Sequence, residues 1–269
     1  GLAWNPSVGD FGGHITLNNM TRTDIFCSSQ IVLPSSGSIL IAGGDNWTGN
    51  STTNTPNNNS NVFTPSTNTL ARGNNMNRAR WYSSSTTLLN GETYIQGGSS
   101  GGDRPEVRDV NGNFRLLSGA NTSGYAETFP RNFLAPDGRV FGFSNSGQMY
   151  YVVPTGTGSI TSMGQMPVPV NGAGSAAMFR PGRILQMGGA SSAAPRSSKV
   201  LRISASASCE VSCSRSASSS ARSASTSAAA ACSWPALRVA SSVRAAAASS
   251  RAAVASARSS SASARSASR

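Results

Sequence analysis

The chain has 269 residues, a hydrophobic share of 38% and a formal net charge of +12, enough length for one large domain or two ordinary ones. Those averages join two unlike parts: of the 69 residues from Leu201 to Arg269, 24 are Ser, 22 Ala and 9 Arg, while all 28 glycines and a net charge of only +4 belong to residues 1–200. The longest apolar runs, Ile39 to Ala42 and Ala228 to Cys232, fall far short of the roughly 20 residues a membrane helix needs, and one cysteine ahead of the tail with Cys209, Cys213 and Cys232 inside it fits neither a disulfide framework nor a zinc site.

Gly1 stands where an initiator Met would, and no charged start followed by an apolar core is visible, so the chain is expected to be processed or a piece of something longer. Four segments then share one plan, in which a β-prone apolar run follows a turn and ends in glycine: Gln30 to Gly44, Thr86 to Gly98, Asn132 to Gly142 and Ala177 to Gly189. Each reads as a β-hairpin. Asn90-Gly91 and Asp137-Gly138 are strong turn signals, because a type I′ turn requires positive φ at both central residues. Outer strands are expected between the hairpins, over Ser60 to Leu70 and Glu106 to Leu117.

The closing glycines at 43, 97, 142 and 188 are spaced by 54, 45 and 46 residues, close to the period of about 50 of kelch-type blades and about 40 to 45 of related propellers. Two hairpins make one four-stranded blade. Helical periodicity is absent before residue 200, so the body, residues 1–199, is expected to be an all-β, incomplete kelch-type β-propeller of about four blades. The paired glycines are expected where inner strands crowd a central channel.

Residues 200–269 form a low-complexity Ser/Ala/Arg segment, expected to be non-globular: a disordered basic extension, or the product of a shifted reading frame in GC-rich coding sequence. As a real extension it binds nucleic acid only non-specifically, through phosphate neutralisation. A helix drawn over its Ala-rich stretches has little apolar face to bury.

Two motifs carry the chemistry. Thr23-Asp-Ile-Phe-Cys-Ser-Ser29 precedes the first Gly-Gly strand, and Asn77-Arg-Ala-Arg-Trp-Tyr-Ser-Ser-Ser85 precedes the second. In these paired motifs, and in the Asn74-Asn-Met-Asn-Arg-Ala-Arg80 run, the body resembles the galactose oxidase and glyoxal oxidase family of copper-radical oxidases over about residues 5 to 194. The resemblance ends in mid-blade, near Pro195 to Leu201, where the composition changes.

The resemblance implies that Cys27 and Tyr82 form a thioether bond and that the modified phenolate of Tyr82 binds copper and holds a radical. A phenol with a reference pKa near 10 becomes a good ligand once a metal takes its proton, and an ortho sulfur eases one-electron oxidation. Cys27 and Tyr82 lie 55 positions apart in the chain, so they are expected to meet at adjacent blade entrances. The family also uses two histidine ligands, in later motifs that this sequence lacks, and the sole histidine, His14, reads as a packing or surface residue. The chain is therefore expected to bind no copper by itself. No Trp occurs between Trp81 and Trp234 to stack on the tyrosine from the next segment, as one does in galactose oxidase.

By the same resemblance the partner is a small alcohol, aldehyde or carbohydrate, and the location secreted or periplasmic. Sequons at Asn19, Asn46, Asn50, Asn58 and Asn121 fit a secreted surface. The competing reading is a non-enzymatic kelch-type propeller that binds glycan or protein through its loops, with Cys27 and Tyr82 kept for packing. Gly172 to Ala177 matches a dinucleotide pattern without the strand before it and helix after it that the pattern needs, and the sole lysine, Lys199, completes no phosphate loop.

Overall fold

A computed structural model describes residues 2–5, 7, 12–17, 21–48, 51–125, 128–166, 174–188, 199–203 and 209–213. All of them lie in the first of two compact units, Gly1–Ser218. β1 (Leu2–Trp4) and β2 (His14–Thr16) pair as a short antiparallel ribbon. β3 (Ser29–Val32) and β4 (Ile39–Ala42) form the first predicted hairpin. After β4 comes an inserted hairpin, β5 (Asp45–Thr48) and β6 (Ser51–Pro56), before β7 (Ser60–Thr64) and β8 (Thr69–Arg72) complete a sheet of order β3-β4-β7-β8.

Three further antiparallel sheets repeat this plan. The second contains β9 (Trp81–Thr87), β10 (Thr93–Ser99), β11 (Glu106–Arg108) and β12 (Phe114–Leu116). The third contains β13 (Arg131–Leu134), β14 (Val140–Phe143), β15 (Gln148–Val153) and β16 (Ser159–Gln165). The fourth contains β17 (Gly174–Arg180), β18 (Arg183–Gly188), β19 (Lys199–Ile203) and β20 (Cys209–Cys213). Among the described residues there is no α-helix, and a short 3-10 turn lies at Ser123–Tyr125. All four predicted hairpins are present, and the four meandering sheets are the four predicted blades.

β19 and β20 form the outer half of the fourth blade, and Lys199-Val-Leu-Arg-Ile203 contributes the β-branched and apolar residues Val200, Leu201 and Ile203 to the first of them. The Ala-rich stretches beyond lie outside the described residues.

Apolar clusters join consecutive blades, and strand alternation explains how. Leu33, Leu40, Ala42, Met76 and Ile95 pack between the first and second blades. In β14 and β15, Val140, Tyr150 and Val152 face the second blade, while Phe141, Phe143, Met149 and Tyr151 face the fourth, where Ile184 meets them. Neighbouring side chains of a strand point to opposite faces, so a blade covered on both sides needs a continuous apolar run such as Met149-Tyr-Tyr-Val-Val153. Burying each large side chain contributes about 1.5 to 3 kcal/mol.

Two details of the sequence reading are corrected. In Asn90-Gly91 and Asp137-Gly138 only the glycines have positive φ, 81° and 86°. The Asn90 and Asp137 carboxamide and carboxylate oxygens accept the N–H groups of Glu92 and Arg139, at 3.2 and 3.0 Å. These local bonds hold the first residue in an ordinary right-handed turn and leave the glycine as the left-handed position of a bulged loop, not a type I′ turn. The paired glycines also lie at the end of the second strand of a blade, not of the innermost, since β9 packs against β3 and β13 and these first strands are the ones that neighbour each other. A Cβ on Gly43, with φ 75°, would collide with the Arg80 carbonyl oxygen as that segment enters the second blade. The close approach is real, but its partner is the entrance of the next blade.

Candidate redox site at the blade entrances

Cys27 lies in the turn ahead of β3, Tyr82 at the start of β9 and Phe129 just ahead of β13. These are equivalent places in three successive blades. All three residues have left-handed backbones, with φ of 62°, 66° and 54°, a conformation that costs a bulky L-residue roughly 1 to 2 kcal/mol. The twist turns each carbonyl toward the following blade: Tyr82 N–H donates to the Cys27 carbonyl at 2.8 Å, and Phe129 N–H donates to the Tyr82 carbonyl at 2.7 Å. Each such bond returns about 1 kcal/mol. The Ser29 and Ser85 hydroxyls, 2.7 Å apart, link β3 to β9 beside the first of these junctions.

The side chains converge where the backbones do. The Tyr82 pKa is held above the ordinary phenol value, first by its interaction with the Cys27 side chain, and then by desolvation and the nearby Asp45. Its ring is stacked on Trp81, with centroids 4.7 Å apart and planes 20° apart, and tilted against Phe129 at 4.8 Å and 48°. Cys27 is a free cysteine, half-buried. The phenol thus lies between Trp81 of its own strand and Phe129 ahead of the next blade, whose ring is largely exposed.

A buried scaffold holds the tyrosine segment. Arg80, two residues before Tyr82, is fully buried, and its guanidinium donates to Glu106 at 3.0 Å and to the carbonyls of Gly97, Gly101 and Arg104 at 2.9, 2.9 and 2.6 Å. Glu106, also fully buried, accepts from both the backbone and side-chain N–H groups of Asn77. Burial lowers the Arg80 pKa, and the Glu106 carboxylate opposes that shift. Removing one partner of such a pair costs about 3 to 5 kcal/mol. On the first blade, the buried Asp45 carboxylate accepts the N–H groups of Asn46, Asn54 and Thr55 at 2.8, 3.1 and 2.8 Å, which closes the inserted β5–β6 hairpin next to the site.

Cys27 and Tyr82 were legible as motifs; Phe129, Asp45 and the Arg80–Glu106 pair were not. One available signal was positional. Cys27, Tyr82 and Phe129 stand 16, 15 and 13 residues before the blade glycines Gly43, Gly97 and Gly142. Beside the junction, a cavity of about 340 Å³ is lined by Ser99, Ser100, Asp103, Ser123 and Thr128 with intervening glycines. It adjoins Phe129 in sequence through Thr128 and carries hydroxyl and carboxylate groups.

Copper favours imidazole nitrogen in company with other ligands, and no group of three or more His, Cys, Asp or Glu side chains is placed to hold a metal among the described residues. His14 is exposed on β2.

Neither a family model nor a curated protein matches the chain. Among solved structures the chain is similar to one described as a novel fungal alcohol oxidase with catalytic diversity among the AA5 family, in complex with copper. The TM-score is 0.64 at 22% identity, over 78% of this chain and 46% of that one, so this chain spans about half the length of the structure it matches. Likeness at this identity carries the fold, and it agrees with the all-β blades and with the galactose oxidase-type resemblance of the two motifs. Residues that fold into four meandering blades, the first three joined at their entrances, therefore give this chain the β-propeller fold of an AA5 copper alcohol oxidase.

Proposed function

We propose that this chain is the propeller portion of a secreted copper-radical oxidase of the galactose oxidase and glyoxal oxidase type. Cys27 and Tyr82 are its thioether pair, and Tyr82 is its phenolate ligand and radical carrier. In the complete oxidase a primary alcohol gives up two protons and two electrons to become an aldehyde, or an aldehyde hydrate does so to become an acid, and O2 takes them up as hydrogen peroxide. The substrate is a small alcohol, aldehyde or carbohydrate. Because the chain presents Tyr82 alone of the implied metal ligands, it has little or no oxidase activity by itself.

The observation that carries this reading is the 2.8 Å backbone bond from Tyr82 to Cys27 across two blades, with the raised Tyr82 pKa, attributed first to the Cys27 side chain, in support. Joining them forms a bond from sulfur to the ring carbon ortho to the hydroxyl. The S–H and C–H bonds break, two protons and two electrons leave, and O2 is reduced to hydrogen peroxide. Incubation with cupric ion in air is expected to lower the intact mass by two hydrogens and to abolish thiol labelling at Cys27, with neither change in C27A or Y82F. An unchanged mass with Cys27 still labelled by thiol reagents overturns the thioether assignment and leaves the non-enzymatic, ligand-binding propeller as the better reading.

A further inference from the structure

Five sequons occur in the sequence; Asn46, Asn58 and Asn121 fall among the described residues, whereas Asn19 and Asn50 do not. The structure separates the three sharply. Asn46 uses its side-chain NH2 to tie the inserted hairpin together, donating to Thr55 Oγ1 at 3.3 Å and to the Pro56 carbonyl at 3.0 Å. Asn58 donates its NH2 to the Met76 carbonyl at 3.1 Å, and the hydroxyl of its sequon, on the buried Ser60, donates to the Asn74 carbonyl at 2.6 Å. Both are part of the blade's own hydrogen bonding.

Asn121 differs at every one of these points. It is exposed, and so is Ser123, the hydroxyl residue of its sequon. Its Oδ1 accepts the Ser123 N–H at 3.1 Å, a local turn that leaves the NH2 group facing no described partner. Between them Thr122 is fully buried and donates to the Gly102 carbonyl at 2.7 Å, which anchors the turn to the loop between β10 and β11. A glycan is bulky and must project from the surface; of the three described sequons, this one alone lets it do so without displacing a hydrogen bond of the fold.

We propose that Asn121 is the N-glycosylation site that the folded propeller retains, with the glycan at the rim of the cavity lined by Ser99, Asp103 and Ser123. The inference rests on the secretion proposed above, not on the copper chemistry. In the transfer, Asn121 Nδ2 forms a bond to the anomeric carbon of a lipid-linked pyrophosphate oligosaccharide. The carbon–oxygen bond to the pyrophosphate breaks, the lipid pyrophosphate leaves, and Nδ2 gives up one proton.

The test is to import the full chain, behind an added signal sequence, into rough microsomes, and separately to secrete it from a glycosylating eukaryotic host. Both products are treated with an N-glycan-specific amidase in H2(18)O and peptide-mapped. The expected result is one 18O-labelled Asp at position 121 in both products, with secreted occupancy higher there than at positions 46 or 58, and loss of one whole glycan from N121Q but not from N46Q or N58Q. An unlabelled Asn121 in chains that are protease-protected in the microsomes, or higher secreted occupancy at Asn46 or Asn58, overturns the proposal. Because the wild-type map reads position 121 directly, poor folding of a variant does not blur the outcome. Absence of the native protein from its producer's secretory route would overturn the secretion reading alone and leave the competence of Asn121 standing.

Discussion

At the scale of single residues, the pairing of a thiol with a phenol fixes how Tyr82 titrates. Its pKa is raised first by the interaction with the Cys27 side chain, then by desolvation and by nearby negative charge. A tyrosine whose folded pKa exceeds its unfolded value contributes its full stabilisation below the ordinary phenol range, near pH 10, and loses it as pH rises through the folded pKa. C27A removes the largest cause, so phenolate formation at Tyr82 is expected at lower pH than in the parent chain. The measurement is an ultraviolet difference titration, with Y82F marking which signal belongs to this residue. An unchanged titration in C27A would mean that the sulfur does not control the phenol.

At the scale of elements, the chain makes a site by joining the entrance of one blade to that of the next. Gly43 is where the first blade yields to the second: its N–H donates to the Asn59 carbonyl at 2.8 Å, and the neighbouring Gly44 N–H donates to the Arg80 carbonyl at 3.0 Å. With φ of 75° and the Arg80 carbonyl lying where a Cβ would be, G43A combines backbone strain with a clash against main chain that cannot rotate away. A loss of more than about 1 kcal/mol is expected, together with displacement of the 80–82 segment that carries the tyrosine. Urea unfolding reads the first effect, and a reduced yield of the thioether on cupric treatment reads the second. By contrast G37A, at a glycine with φ 68° but nothing near its Cβ position, meets strain without the clash. It should cost less stability and leave the thioether yield unchanged.

At the scale of the whole molecule, charge and fold are carried by different stretches. All described residues lie in the unit Gly1–Ser218, and the remaining unit, Ser219–Arg269, holds seven arginines and no acidic residue. Deleting residues 219–269 is expected to leave the thermal unfolding of the blades unchanged and to lower the salt concentration at which the chain leaves a DNA column. Every phosphate that the shortened chain no longer neutralises makes the dependence of log K on log salt shallower by roughly 0.9. Equal elution of the two chains would remove the basic segment as a nucleic-acid binder, and a lower melting temperature would place it in the fold.

Local chemistry made the hairpins readable without a structure. Apolar runs closed by glycine, turns at Asn90-Gly91 and Asp137-Gly138, and a recurring spacing are short-range signals, and the β-sheet meanders follow from them. The same reading put Cys27 and Tyr82 at corresponding places in two repeats, and hence in reach of one another. It could not supply the turn type, because the choice between two left-handed residues and one depended on side-chain oxygens of Asn90 and Asp137 bonding to their own backbone. Nor did it supply Phe129 as the third aromatic wall, the burial of Arg80 with Glu106, or the contrast between Asn121 and the other sequons. Each of those depends on which groups from distant parts of the chain meet once blades pack face to face, and on which donors that packing has already used. Periodicity fixes a residue's place within its own strand; only the stacking of one sheet on another decides what stands opposite it.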